Sequence, residues 1–273
     1  MKLNKITIIT VSFNSEETIE DTILSVLNQD YDNLEYIIID GGSTDNTINI
    51  IKKYQNYFAD KAIPFKWISE PDEGIYDAIN KGIRMADEGL IGIINSDDWY
   101  EPKLLSKVNC VYNNKSPNII HGDLRIYTKD KKLIGTRKPN LNLSRIWEGM
   151  TLKHPTFFVE KKVYDEDGMF STKYEISSDY EFVLRSYLKG RKFYYIEDVV
   201  SNMRLGGISN ENRYKSWKEV EVICKNAGLN AFKARIYMYK RILKFIIGKM
   251  AEVSKRVFIA REYKLLRKWD EQS

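Results

Sequence analysis

The chain has 273 residues and 43% hydrophobic content, which suits one large α/β domain or a domain with an appendage and excludes a low-complexity, disordered class. Its formal charge of +5 is uneven, with Asp-rich motifs in the first half and Lys and Arg crowded near the C-terminus. Cys110 and Cys224 are the only cysteines, so a secreted disulfide framework is not indicated and two buried thiols are expected; with two histidines in all, a divalent metal must be held through oxygen, which favours Mg²⁺ or Mn²⁺.

Residues 6–13, ITIITVSF, form a nearly continuous apolar run, the pattern of a strand covered on both faces. Thr18 to Leu27 has apolar residues at helical spacing. Residues 34–39, LEYIII, give a second buried strand, ending at the turn-rich segment Asp40-Gly41-Gly42-Ser43-Thr44-Asp45. A helix follows over Thr47 to Tyr57, then a strand at Ile63–Ile68, a helix at Ile75–Ala86 and a strand at Leu90–Ile94, which stops at Asn95-Ser96-Asp97-Asp98. This alternation predicts a doubly wound, mixed but mostly parallel α/β sheet with helices on both faces. Ligands bind such sheets beyond the carboxyl ends of the strands. Ser12 and Asn14, Asp40, Glu70 and Asp72, and Asp97 and Asp98 all fall there.

The second half is less regular. Ile119–His121 and Leu124–Tyr127 read as strands, with a polar hairpin at Lys129–Lys132. His154-Pro155 precedes an aromatic strand, FFV, and Ser178–Tyr187 reads as a helix beginning near Asp179. Phe193–Ile196 is a short strand, Gly206-Gly207 a flexible loop, and Tyr214–Ala227 a helix. Ala231–Trp269 is helical, basic and aromatic, with a break expected at Gly248.

Several chemistries are removed by missing motifs. There is no GxGxxG dinucleotide fingerprint, no GxxxxGK[ST] phosphate loop and no GxSxG nucleophile elbow. Adjacent acids such as Asp97 and Asp98 repel unless a cation sits among them, and a divalent ion bridging them to a diphosphate would take up leaving-group charge. The alternative is a loop pair ahead of the helix that Leu104 and Leu105 announce. Asp40 reads equally as a nucleotide contact or as a turn aspartate serving its own loop amides. Asp179 reads as a helix cap or as a general base for an acceptor hydroxyl. His154 either faces a diphosphate or packs beside Pro155 and Phe157, and Arg185 orients Asp179 or makes a surface ion pair.

Five segments, TIITVSFNSEETI, IIIDGGSTDNT, EPDEGIYDAINKGI, INSDDWYEP and SSDYEFVLR, occur in this order and together resemble glycosyltransferase family 2. The resemblance covers roughly residues 4–210. It implies a GT-A fold, with a nucleotide-binding front half at residues 1–100 and an acceptor-binding back half at 101–210. It also implies an inverting transfer from a nucleoside-diphosphate sugar, most often a UDP-sugar, assisted by Mn²⁺ or Mg²⁺. By the same resemblance Val11, Ser12 and Asn14 lie along the nucleotide, and Asp40 contacts the base. Asp98 is the stronger metal ligand, Asp97 is shared between ribose and metal, and Asp179 is the catalytic base. Arg185 matches the arginine of the family's D-Y-E/D-x-x-x-R pattern. Asn95 stands where fuller versions of the metal motif carry an acid, which leaves metal geometry open. Asp72, Gly74, Tyr76, Asn80 and Lys81, together with His154 and GGIS at Gly206–Ser209, resemble a subgroup that builds bacterial O-antigen or capsule repeats. Asp72 and His154 are counted with the donor-binding residues on that basis.

Residues 211–273 form a basic amphipathic helical extension. Its Lys and Arg alternate with Phe, Ile, Tyr and Leu, a composition that can lie on an anionic bilayer and that would suit a polyprenyl-diphosphate-linked saccharide acceptor. Residues 1–15 show no secretory pattern and no apolar run approaches a membrane span, so a cytoplasmic, peripheral catalytic body is expected. Nucleic acid is not an expected partner, and the oligomeric state is open. A nucleotidyltransferase-type sugar-nucleotide enzyme would need a Gly-rich basic loop where VSFNSEETI stands, and a non-catalytic scaffold of the same fold would be favoured by loss of Asp98 or Asp179, both of which are present.

Overall fold

The computed structural model describes residues 2–206 and 212–270, with side chains described as far as Ala251. β1 (Ile6–Ser12), β2 (Leu34–Asp40), β3 (Phe65–Ser69) and β4 (Leu90–Asn95) form a parallel block in the order β3-β2-β1-β4. Between them run α1 (Ile19–Leu27), α2 (Thr47–Asp60) and α3 (Ile75–Met85). Every residue of β1 and β2 is buried, as their continuous apolar runs require. The sheet continues through β8 (Phe158–Glu160), β6 (Ile119–Tyr127), β9 (Phe193–Arg204) and β5 (Trp99–Tyr100), with β7 (Leu133–Arg137) paired to β6. β6 and β9 share the direction of the first four strands, whereas β5, β7 and β8 oppose it.

Side-chain alternation splits the core into two layers. Ile6 and Ile8 face α1, α2 and α4 (Leu104–Lys115), whose buried residues include Ile23, Phe58 and Leu105. Ile9 and Val11 face the other layer, made by α3, α5 (Lys161–Asp167), α6 (Ser178–Leu188) and α7 (Arg213–Asn226). α3 lies close to the sheet because Gly82 leaves room for Ile9, whose Cγ2 stands 2.5 Å from where a Cβ would be. That close approach fixes α3 and the loop leading into it.

Differences from expectation are local. β6 is one strand rather than two, and the polar hairpin joins it to β7 across a register shift at Ile126 and Tyr127. β9 runs twelve residues, well beyond Ile196, because two register shifts against β6 let it resume pairing through Arg204. α8 (Ala231–Asp270) passes through Gly248 unbroken. One helical glycine costs only about 1 kcal/mol against alanine, too little to stop a helix flanked by good formers. Cys224 is buried as expected, but Cys110 is exposed on α4. Gly207–Ser209 of the GGIS segment lie outside the described residues.

Candidate active site

The parallel register sets Ser12, Asp40 and Ser69 side by side at the carboxyl ends of β1, β2 and β3, with Asn95 beside Val11 at the end of β4. Asp40 is fully buried. Its Oδ1 accepts from Ser12 Oγ at 3.0 Å and Ser43 Oγ at 2.5 Å. Its Oδ2 accepts from Gly42 N at 3.1 Å, Ser43 N at 2.8 Å and Ser69 Oγ at 2.7 Å. Both oxygens therefore have partners within the protein, and Asp40 organises its own turn. Val11 points into the core. Asn14 adopts a left-handed backbone, with φ of 47°, and ties the first loop to the second: its N–H donates to Ser43 Oγ and its Oδ1 accepts from Thr44 N.

Another carboxylate reaches this rim. Asp72 Oδ1 accepts from Gly74 N at 2.9 Å, and its Oδ2 lies 2.5 Å from the place a Cβ on Gly41 would take. The exposed ring of Phe13 lies 3.5 Å from the same point. An aromatic ring and a carboxylate thus flank Gly41, residue types suited to stacking a planar base and accepting a hydrogen bond from its ring N–H.

At the end of β4, Asp97 is half-buried and Asp98 is 1% exposed. Arg204, at the end of β9, braces both. Its backbone N–H donates to Asp98 Oδ1 at 3.1 Å, its Nη1 to the Asp97 carbonyl at 2.6 Å, and its Nη2 to Asp21. Its guanidinium also lies over the Trp99 ring, 4.9 Å from the centroid. Asp98 Oδ2 is buried with no protein partner. Burial pushes the Asp97 carboxyl above the ordinary aspartate value, and burial together with the charge of Asp97 pushes Asp98 up further. Two acids held in this way fit a divalent cation. Among the described residues no three Asp, Glu, His or Cys side chains converge, so diphosphate oxygens and water would complete the coordination, the usual habit of Mg²⁺. Asp97 is the more exposed of the two, whereas Arg204 N–H holds one oxygen of Asp98 and leaves the other without a protein partner.

Asp179 sits in the first turn of α6. Its Oδ1 accepts from Tyr180 N at 2.7 Å and faces Tyr76 Oη at 3.4 Å. Tyr76 Oη donates to the Ile176 carbonyl at 2.7 Å, which fixes the hydroxyl beside the acid. Burial raises the Asp179 carboxyl above its usual range, and the neighbouring His154 opposes that rise. His154 occupies a short 3-10 turn, His154–Thr156, and packs edge-on against Phe157 and Phe170, both at 5.5 Å between centroids. Burial holds its imidazole below the usual histidine value. Asn80 pins Phe170 at both backbone atoms, donating to its carbonyl at 2.8 Å and accepting from its N–H at 3.0 Å. A cleft of about 280 Å³ opens beside this group, lined by Glu73, Tyr76, Thr172, Tyr174, Glu175 and Asn212 among others.

Arg185 does not turn toward Asp179. Its guanidinium grips the Glu181 carboxylate and the carbonyls of Asp167, Gly168 and Met169. It buttresses the chain before α6. Lys81 serves the front loop in a similar way, pairing with Glu70 at 2.9 Å and donating to the Pro71 carbonyl at 3.0 Å.

The family model for Glycosyl transferase family 2 matches residues 7–177. The chain belongs to this family. It is similar to the PGL/p-HBAD biosynthesis glycosyltransferase of Mycobacterium tuberculosis, at 24% identity over 192 residues, covering 68% of this chain and 72% of that one. It is also 26% identical over 269 residues to the chondroitin synthase of Pasteurella multocida, covering 95% of this chain but 27% of the synthase. In three dimensions it resembles S. aureus TarS 1-349 solved with UDP-GlcNAc, with a TM-score of 0.63 at 19% identity over 86% of this chain and 70% of that chain. The mannosyltransferase PcManGT from Pyrobaculum calidifontis, solved with GDP-Man and Mn²⁺, gives a TM-score of 0.65 at 15% identity over 87% and 70%. Family membership makes this chain a glycosyltransferase with a GT-A-like α/β fold and displaces the nucleotidyltransferase and scaffold readings.

The sequence pointed to Asp40, Asp72, Asp97, Asp98, His154 and Asp179. It gave no reason to single out Phe13, Trp99 or Arg204. Their roles depend on which strands end side by side, and β9 was not expected to extend so far.

Proposed function

We propose that this enzyme moves one sugar from a UDP-sugar, with inversion, to a hydroxyl of a lipid-linked saccharide in the assembly of a bacterial surface polysaccharide of the O-antigen or capsule type. The observation that carries the reading is the segment 72–76, the loop into α3 and the first residues of that helix. At one end Asp72 meets Gly41 and Phe13 on the nucleotide rim, and at the other Tyr76 meets Asp179. A base reader and a proton acceptor thus meet the two ends of one short segment.

In this reading the base stacks on Phe13 and gives its ring N–H to Asp72. Asp97 and the open oxygen of Asp98 would hold a divalent cation, which when bound neutralises the departing diphosphate. Asp179 accepts the proton of the acceptor hydroxyl as that oxygen attacks the anomeric carbon. His154 is held close enough to Asp179 to oppose the rise of its carboxyl. A covalent, retaining route would need a second free carboxylate, and the two nearest in sequence are engaged: Glu181 by Arg185 and Glu175 by Lys215. A single displacement, and hence a β-linked product from an α-linked donor, is what these side chains support.

The lipid-linked acceptor is favoured by α8. Its exposed residues Phe232, Ile236, Tyr239, Leu243, Ile247 and Met250 recur at three- and four-residue spacing, which places them on one face. Residues 231–251 hold no acid, while Lys233, Lys240 and Lys244 flank the stripe. A basic segment without acids repels its own copy and is attracted to anionic lipid. No helix among the described residues is long and apolar enough to cross a membrane, so the enzyme would act as a peripheral protein at the cytoplasmic face.

The test is a donor panel of UDP-, GDP- and dTDP-sugars with Mn²⁺ or Mg²⁺ and polyprenyl-diphosphate-saccharide acceptors, with the product linkage read by NMR. Acceptor-dependent release of UDP and a β-linkage, both abolished in Asp179→Asn, are expected. An α-linked product, or full activity in Asp179→Asn, would overturn the mechanism.

A further inference from the structure

The side chain that holds the turn before Asp179 lies outside the motifs that contain that acid. Just before α6, three consecutive backbone N–H groups converge on one side chain from α7. Glu175 N donates to Glu219 Oε1 at 3.0 Å, and Ile176 N and Ser177 N donate to Glu219 Oε2 at 3.1 and 2.8 Å. Successive N–H groups pointing to one spot form an anion-binding concavity, and here the protein fills it with its own carboxylate. Ser216, one turn earlier on α7, adds a hydroxyl contact to Ser177 at 3.0 Å. From the opposite side Tyr76 Oη holds the Ile176 carbonyl at 2.7 Å. The peptide units at 175–177 are therefore gripped through both their donors and their acceptor, two residues before Asp179.

We propose that Glu219 is a positioning residue for the transfer reaction, setting the entry of α6 so that Asp179 stays beside Tyr76, whose side chain lines the cleft. The inference rests on Asp179 being the base. Ser177 makes no side-chain cap to α6, so the orientation of the helix start depends on this outside carboxylate. A carboxylate suits the task because two oxygens with several lone pairs can serve three donors, whereas an amide has one accepting oxygen and turns an N–H₂ toward them. α7 is well anchored to do this: Val220, Ile223 and Cys224 are buried in the same core layer as α6, and Tyr180 Oη meets Cys224 Sγ at 3.1 Å. The C-terminal region thus contributes to the acceptor half of the site.

The experiment compares wild type, Glu219→Gln, Glu219→Ala and Asp179→Asn as full-length proteins. It measures kcat, the acceptor KM, the Kd for UDP, Tm and the pH profile of kcat. Glu219→Gln is expected to lower kcat about tenfold or more while UDP Kd stays within about threefold, because the donor rim does not involve α7; acceptor KM should rise, because Glu175 and Ile176, which Glu219 holds, line the cleft. Its acid limb should stay close to that of the wild type, since burial, His154 and Tyr76 set the Asp179 carboxyl. Glu219→Ala should lose more. A kcat within twofold of wild type in a folded Glu219→Gln protein would overturn the proposal, as would equal losses of kcat and UDP binding, which a merely structural role produces. Full activity in Asp179→Asn would instead refute the base assignment and leave the Glu219 measurement to be read as a helix cap alone.

Discussion

The substitution Gly41→Ala tests the nucleotide site most sharply. Gly41 has an ordinary backbone conformation, so alanine brings no backbone strain there. What it brings is a methyl group whose carbon would stand 2.5 Å from Asp72 Oδ2, where ordinary contact begins at 3.4 Å. The carboxylate must retreat by about 0.9 Å. It is tethered at its other oxygen to Gly74 N, so it swings rather than slides. A hydrogen bond from a bound base lengthened by that amount is lost. A hydrogen bond to a charged group is worth about 1.5–3 kcal/mol, so donor affinity should fall about 10- to 150-fold. Calorimetric titration with UDP would read this directly, and Tm should stay within a few degrees. Asp72→Ala should weaken UDP binding to a similar degree. Adding Gly41→Ala to Asp72→Ala should then cost nothing further, because the obstructed side chain is gone. Unchanged UDP affinity in both single variants would refute the assignment of Asp72 and return base recognition to another group on the rim.

Three more outcomes follow from the geometry. Asp179→Asn should reduce kcat by about 10²–10⁴ with little change in UDP affinity; the wild-type rate should fall as pH drops through the Asp179 carboxyl, and since burial raises that group, the acid limb should lie above the ordinary aspartate value, as a pH series of kcat would show. Arg185→Ala should lower Tm by several degrees and leave UDP Kd unchanged, because its guanidinium holds Glu181 and the carbonyls at 167–169 rather than the donor; a normal Tm with lost UDP binding would contradict that. Leu243→Glu with Ile247→Glu should abolish sedimentation with phosphatidylglycerol vesicles while sparing transfer to a short-chain soluble acceptor, and unimpaired sedimentation would remove α8 from the membrane contact.

The front half of the fold was legible because parallel strands buried on both faces must read as unbroken apolar runs, and such runs end where the chain turns polar. Ser12, Asp40 and Asp97 mark those ends, so the rim could be located without coordinates. What each acid does there could not be read in the same way. Asp40 and Asp72 look alike in sequence, and only the count of donors around Asp40, against the space left by Gly41 for Asp72, separates them. Arg185 illustrates a second limit. Its partners include three backbone carbonyls, and no side-chain pattern encodes a carbonyl. Glu219 illustrates a third. It lies in a region whose basic, aromatic composition directs attention to lipid, yet its carboxylate closes a turn more than forty residues away in sequence. Local periodicity therefore locates chemistry where a strand end carries it. Where the chemistry depends on backbone groups of one segment meeting a side chain of another, only the packing of α6 against α7 discloses it, and the turn that leads to Asp179 is held by that kind of contact.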